Sequence, residues 1–304
     1  MAAGKIRVGI SGWRYKGWRG KFYPEKLRQK DELCYAAEKF CTIEINGTFY
    51  SLQAPESFRR WAAETPDDFV FGVKGSRFLT HMLRLREPEI ALANFFASGV
   101  LELREKLGPF LWQLPPNFKF DAERLETFFS VLPRDMESAI ELTRRRNKRI
   151  MPRAAVDVGR NCLAKNRTLR HALEIRNESF RTPDFIALLR KHNIALACAD
   201  TVEWPRLMDV TSDFMYVRLH GSEVLYASGY DRDAIEDWAR RTVAWARGRE
   251  PHDAEKVLAK LSPKCAGRDV YVYFDNDAKV RAPTDALSLI ARIKQLQSLA
   301  NDKR

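Results

Sequence analysis

The sequence predicts a (β/α)8 TIM barrel built as a single domain with one basic insertion. Three observations lead there. Eight short apolar runs, bounded by turn residues, recur along the 304 residues. Most are followed by a segment whose apolar residues have helical spacing, the alternation of a parallel α/β sheet. Each run closes on or beside a polar side chain, at the end of the strand where barrel enzymes assemble their sites.

The first run, Arg7 to Ser11 (RVGIS), leads into SGWRYKGWRG. That loop lacks both the G-x-G-x-x-G spacing and the P-loop lysine, which argues against the alternative of a doubly wound nucleotide-binding sheet. A helix is predicted over Asp31 to Phe40, then a strand over Thr42 to Asn46 (TIEIN) and a helix over Pro55 to Glu64, with proline at its favoured first position. Phe69 to Lys74 (FVFGVK) precedes one long helix, Pro88 to Leu107. Phe110 to Leu114 (FLWQL) is ended by Pro115 and Pro116, which offer no N–H to a ladder. Asp121 to Val131 follows as a helix.

The stretch 134–170 then departs from the pattern, with 11 basic and 4 acidic residues including RRRNKR at 144–149. It reads as a partly helical basic insertion between the fourth helix and the fifth strand. The alternation resumes with strands Ala172 to Arg176, Ile194 to Asp200, Phe214 to His220 and Val270 to Phe274, and helices Pro183 to Lys191, Asp231 to Arg247 and Pro283 to Leu299. Eight strands with seven helices among them read as eight βα units. Trp238 and Trp245, seven apart, read as a core stripe. The stretch 240–268, with 8 basic and 3 acidic residues, is a second helix-to-strand connection at the barrel's base.

Composition sets outer limits. With 45% hydrophobic and 30% charged residues, the chain is neither disordered nor a disulfide scaffold. Five cysteines without a C-x-x-C pair fit reduced thiols, most of them packed as small core residues. No signal peptide or membrane-length apolar run is evident, so a cytoplasmic protein with no membrane partner is expected. The balance of 52 basic against 40 acidic residues, +12, favours anionic partners.

Side chains two apart on a strand share a face. With Leu173, Ile175, Val217 and Leu219 against the helices, Glu174, Arg176, Arg218 and His220 point into the barrel. The same parity turns in Glu44 with Asn46. It also sets Lys74, Gln113 and Asp200 at strand ends, with Asn276 and Asp277 just beyond the last strand. Cys198 shares this inward phase. Charges inside a barrel must be paired or near the solvated mouth. The expected catalytic set is Glu44, Glu174 and His220, and the expected substrate- or anion-binding set is Trp13, Asn46, Tyr50, Lys74, Gln113, Arg176, Asp200, Arg218, Asn276 and Asp277. Structural ion pairs of Glu44 or Glu174 with Arg218 or Arg176 are the plainer alternative. Seven basic residues in 11–30 and Lys74, Arg77, Arg84 and Arg86 after the third strand suggest a cationic rim, with aromatics available for stacking.

The motifs VGISGW (8–13), EINGTFY (44–50), FGVKGSRFLTH (71–81), QLPPNF (113–118), EIRNESF (174–180), YVRLHG (216–221) and YFDNDAKVRAPTDAL (273–287) occur in this order. From about residue 6 to 298 the chain resembles the YecE-like family, domain of unknown function seventy-two. The resemblance implies a TIM barrel but brings no established reaction. Asp275 stands where members of that family often have asparagine.

Four chemistries are compatible with these residues. The first is an enzyme using carboxylate acid/base catalysis on a phosphate- or carboxylate-bearing substrate, with Glu44 and Glu174 as base and acid. The second is a nucleic-acid-binding or metal-dependent phosphodiester-processing barrel. For that, histidines are few, no metal ligand set is assigned, and an oxygen-rich magnesium site is the form left open. The third makes Lys74 a Schiff-base lysine, against the commoner role of anion binding. The fourth is a non-catalytic adaptor for an anionic ligand or RNA. Cofactor and oligomeric state are left unassigned.

Overall fold

The computed structural model describes residues 3–150, 166–221, 223–259, 265–277 and 280–301. Eight parallel strands close in chain order: β1 Ile6–Ser11, β2 Thr42–Ile45, β3 Val70–Lys74, β4 Leu107–Gln113, β5 His171–Glu174, β6 Ala195–Asp200, β7 Phe214–Leu219 and β8 Asp269–Phe274, with β8 pairing back onto β1. The helices are α1 Glu32–Lys39, α2 Gly47–Tyr50, α3 Pro55–Ala63, α4 Pro88–Ala97, α5 Ala122–Val131, α6 Met136–Thr143, α7 Pro183–Lys191, α8 Arg232–Ala246 and α9 Arg281–Asn301. Their starts follow from local chemistry. Asp121, Thr182 and Asp231 each accept a backbone N–H of the first turn of α5, α7 and α8, and Asp135 with Ser138 forms a reciprocal cap on α6.

The strands are apolar on both faces because each face is buried. Leu111, Ala172, Ala195, Ala197, Phe214, Tyr216, Tyr271 and Tyr273 fill the barrel, while Ile43, Val73, Trp112, Leu173, Val217 and Val272 pack outward against the helices. Each fully buried Val or Phe contributes about 1.5–3 kcal/mol. Large inward residues oblige small neighbours: a Cβ on Gly72 would lie 2.8 Å from Tyr273 Oη and 3.0 Å from Tyr216 Oη. On β6 the inward residues are alanines, so Cys198 and Asp200 fall on the opposite face. This overturns their expected inward phase. IALACAD is apolar at both parities up to its last residue and carries no alternation from which a phase can be read.

Three further boundaries differ from expectation. The helix expected over Pro88 to Leu107 breaks at Gly99 (φ +110°), where a Cβ would sit 2.6 Å from Pro55 Cα, and a 3-10 segment, Val100–Lys106, leads into β4. β4 itself begins at Leu107, three residues early. No helix joins β6 to β7, so eight strands carry seven βα units. In place of that helix the returning chain after α8 straps the connection: Met208 N–H donates to Glu255 O (2.8 Å), and Asp209 accepts from Val257 N (2.7 Å) and Leu258 N (3.0 Å). Within the basic 240–268 stretch Arg241 pairs with Asp253 and Lys256 with Glu250.

The insertion leaves and rejoins the barrel through a closed neck. Leu169 N–H donates to Arg134 O (2.8 Å) and Met136 N–H to Arg167 O (3.0 Å). Its flanking arginines act as staples, Arg167 on the carbonyls of Glu105 and Leu107 and Arg170 between Asp213 and Asp269. Residues 151–165, with Cys162, lie outside the described residues. Of the other cysteines Cys198 is buried, whereas Cys34, Cys41 and Cys265 are exposed and free, contrary to the expectation that most would be core residues. Among the described residues no helix is long and apolar enough to cross a membrane.

Candidate functional site

Inward parity on β1, β2, β5, β7 and β8 delivers Ser11, Glu44, Glu174, Arg218 and Asp275 to one point below the C-terminal mouth. Arg218 is fully buried and is the hub. Its Nε and Nη2 grip Glu44 (3.1 and 2.9 Å), Nη1 donates to Glu174 (2.8 Å), and Nη2 donates also to Asp275 (2.7 Å). Glu44 further accepts from Tyr216 Oη (2.6 Å) and from the Ser11 hydroxyl, which in turn accepts from Asn46 Nδ2 (2.9 Å). Arg176 Nε donates to the other Glu174 oxygen at 2.8 Å. Burial opposes every charge here, yet mutual pairing wins. Arg218 and Arg176 hold Glu174 well below the usual carboxylate range, Arg218 and His220 do the same for Asp275, and the three carboxylates hold Arg218 well above its ordinary value.

Above this layer opens a cavity of about 560 Å3 lined by Trp13, Arg14, Tyr15, Asn46, Tyr50, Trp61, Lys74, Tyr226, Asp275 and Asp277 among others. Tyr15 is fixed through its hydroxyl to Ser11 O (2.6 Å). Tyr226 holds a left-handed backbone (φ +60°), an uncommon conformation for a bulky residue, and accepts from Arg176 Nη2 at 3.2 Å. A larger groove, about 790 Å3, lies outside the barrel between α8 and α9, where Glu236 pairs with Arg240 and Arg292.

Two cavity groups titrate near neutrality. Burial, then the Arg218 guanidinium, push the Lys74 ammonium down to about 8 against the opposing pull of Asp275, Glu44 and Glu174. Burial, then the neighbouring Asp275 carboxylate, push Asp277 up to about 6. Beside the mouth, burial together with Arg176 and Lys74 lowers His81 to about 4.

The structure thus brings together Glu44, Glu174, Lys74, Arg176, Arg218 and His220, and sets Trp13, Asn46, Tyr50 and Asp277 on the cavity. Gln113 sits beside Glu174 across the β4–β5 pair with its Oε1 unpartnered among the described residues. Two expected site residues are elsewhere. Asp200 points outward into an ion pair with Arg206 (3.0 Å), and Asn276 is buried on the opposite parity, donating to Asp285 (2.8 Å) and Ser228 O (2.9 Å). Glu44 and Glu174, expected as catalytic, are fully buried and both pair with Arg218, the structural pairing named as the plainer alternative. His220 is fully buried, with Trp204 and Tyr226 edge-on to its ring and its Nδ1 3.3 Å from Asp275.

Asp275 is the participant the sequence reading passed over, and extending the inward parity of Tyr271 and Tyr273 by one step reaches it. Tyr226 carries no such signal, because it comes from a loop. The rim is also less cationic than its composition, since Arg19 pairs with Glu32 and Arg28 with Asp31, while Arg84, bonded to the neutral Asn117, keeps its charge. Trp18 and Tyr23 are buried in an aromatic cluster rather than presented for stacking.

A family model described as "Protein of unknown function DUF72" matches residues 7–304. The chain is similar to the UPF0759 protein YunF of Bacillus subtilis (strain 168), 22% identical over 303 residues that cover 90% of this chain and 89% of that protein. It is also similar to the UPF0759 protein YecE of Escherichia coli (strain K12), 28% identical over 138 residues, 45% of this chain and 48% of that one. The crystal structure of a DUF72 family protein from Thermotoga maritima MSB8 shares the fold, with a TM-score of 0.65 at 23% identity over 97% of this chain and 99% of the other.

Proposed function

Since the chain belongs to the DUF72 family, we propose that this member is an enzyme performing proton-transfer chemistry on a small anionic substrate held in the mouth cavity. One observation carries the reading: Asp277 and Lys74 face the same cavity with proton affinities drawn toward neutrality, while the charges beneath them are locked in mutual pairs. Asp277 is the proton carrier. Arg14, exposed on the cavity wall, is the partner for the substrate's carboxylate or phosphate. Glu44, Glu174, Asp275 and Arg218 supply a fixed field that needs no rearrangement during reaction.

The phosphodiester alternative is less well supported. The carboxylates that a divalent cation would need, Glu44, Glu174 and Asp275, already surround a guanidinium. A binding-only role would leave the near-neutral pair without a task. The test is to incubate the protein with a mixture of small carboxylates and phosphate esters and to follow each compound by mass spectrometry. Consumption of an anionic compound by the wild type, lost in Asp277→Asn, supports the reading; no consumption and no binding across the mixture overturns it.

A further inference from the structure

Lys74 is the last residue of β3, and its position is fixed from behind. Thr48 Oγ1 donates to its carbonyl (2.6 Å), and the next backbone N–H, that of Gly75, donates to Leu111 O (2.8 Å). Lys74 is 8% exposed, with Nζ 4.4 Å from the centre of the Phe49 ring. Its surroundings differ from those of the other buried cations at this end of the barrel. Arg218 and Arg176 each donate to carboxylates, whereas Lys74 makes no ion pair with any described residue and lines the open cavity. An anion-binding lysine is served by a site that favours its charge. Here burial and the Arg218 guanidinium disfavour the charge and outweigh the Phe49 ring face and the more distant carboxylates of Asp275, Glu44 and Glu174, which favour it.

We propose that Lys74 is a covalent catalytic residue whose amine captures a small carbonyl compound bearing an anionic group. The proposal deepens the preceding reading, on which it rests, by naming the substrate class. The unprotonated amine attacks the carbonyl carbon; an N–C bond forms and the C=O π electrons move to oxygen. Both nitrogen protons end on that oxygen: the first passes through the Asp277 carboxylate to the alkoxide, giving a carbinolamine, and the second follows the same route as the nitrogen lone pair expels the hydroxyl, which leaves as water with an imine behind. Amine and carbonyl thus give imine and water, with no oxidant or further reactant. Burial and the nearby Arg218 lower the Lys74 ammonium to about 8, so about a tenth of it is free amine at pH 7. The substrate's anionic group lies toward Arg14, which faces the same cavity.

The probe is glyoxylate, an aldehyde carrying a carboxylate, with sodium cyanoborohydride to reduce any imine to a stable secondary amine. Peptide mass mapping of wild-type protein is expected to find one saturable adduct, on Lys74, formed at least tenfold faster than on exposed lysines such as Lys16 and Lys21. Glycolate, which has the carboxylate but no carbonyl, is expected to compete. Lys74→Met, checked for folding by circular dichroism, should lose the adduct. Labelling spread evenly over surface lysines, or none at Lys74, overturns the proposal. If glycolate binding is nonetheless detected by calorimetry and is weakened in Arg14→Ala, the anionic-substrate reading stands without it; if glycolate also fails to bind, that reading loses its support as well.

Discussion

Arg218 Nη2 donates to Asp275 Oδ2 at 2.7 Å, tying β7 to β8 beneath the mouth. The contact is one of several on the same guanidinium, so the two partners are not equivalent. Removing Arg218 takes the paired arginine away from Glu44 and Asp275 and leaves Glu174 with Arg176 alone, whereas replacing Asp275 leaves Arg218 with two carboxylates. Arg218→Met should therefore destabilise by about 3–5 kcal/mol. Asp275→Asn, which keeps a hydrogen-bonding group, should cost about 1–2 kcal/mol. Urea unfolding of both variants measures this, and equal losses would refute the hub assignment.

How much of this was readable in advance depends on whether a strand alternates. In MYVRLH the apolar and charged residues alternate, so the inward turn of Arg218 and His220 could be read directly. The same holds for Glu44 and Glu174. IALACAD carries no such contrast, and Asp200 was misplaced because alanines, not its acid, fit beside Tyr216 and Tyr273. Pairing strength was not legible either. Sequence parity brings charges to one end of the barrel but does not say which carboxylates a guanidinium will consume and which, like Asp277, remain outside the lock.

His171 gives the protein an acid-sensitive joint far from the mouth. Trp112 Nε1–H donates to its Nδ1 (3.2 Å), so Nε2 carries the hydrogen toward Pro133 O (2.7 Å) and the ring is neutral. Burial lowers its pKa to about 3 from 6.5. Below pH 6.5 the unfolded chain gains a proton that the folded one refuses, so this stability is complete above 6.5 and is lost as pH falls toward 3. Between pH 7 and 4.5 the wild type should lose on the order of 1–3 kcal/mol more than His171→Gln. Unfolding curves across that range that fall in parallel would show that His171 is not the acid-sensitive group.

Gly72→Ala should destabilise by about 1–3 kcal/mol, because the added methyl meets the hydroxyls of both Tyr273 and Tyr216 on rigid rings. Tyr273→Phe vacates the nearer contact at the expense of its bond to Thr42 (2.8 Å). The double variant should therefore be more stable than the sum of the single losses predicts. Strict additivity in a double-mutant cycle would mean that the glycine is not there to admit the tyrosines.

Asp275→Asn should move the two near-neutral groups of the cavity in the same direction. Lys74 is faced by Arg218, which lowers its pKa, and by Asp275, Glu44 and Glu174, which raise it; Asp277 is raised by Asp275. Removing the Asp275 charge withdraws an attraction that keeps the Lys74 ammonium protonated and a repulsion that keeps the Asp277 carboxyl protonated. Both pKa values should therefore fall, Lys74 from about 8 and Asp277 from about 6. Competitive acetylation with acetic anhydride across pH 6–10 reads the Lys74 amine, and carboxyl-labelled aspartate NMR reads Asp277. A wild-type Lys74 titrating near the ordinary lysine value of 10.5 would contradict its burial beside Arg218. Opposite movements of the two groups in the variant would mean that Asp275 does not act on both as a charge.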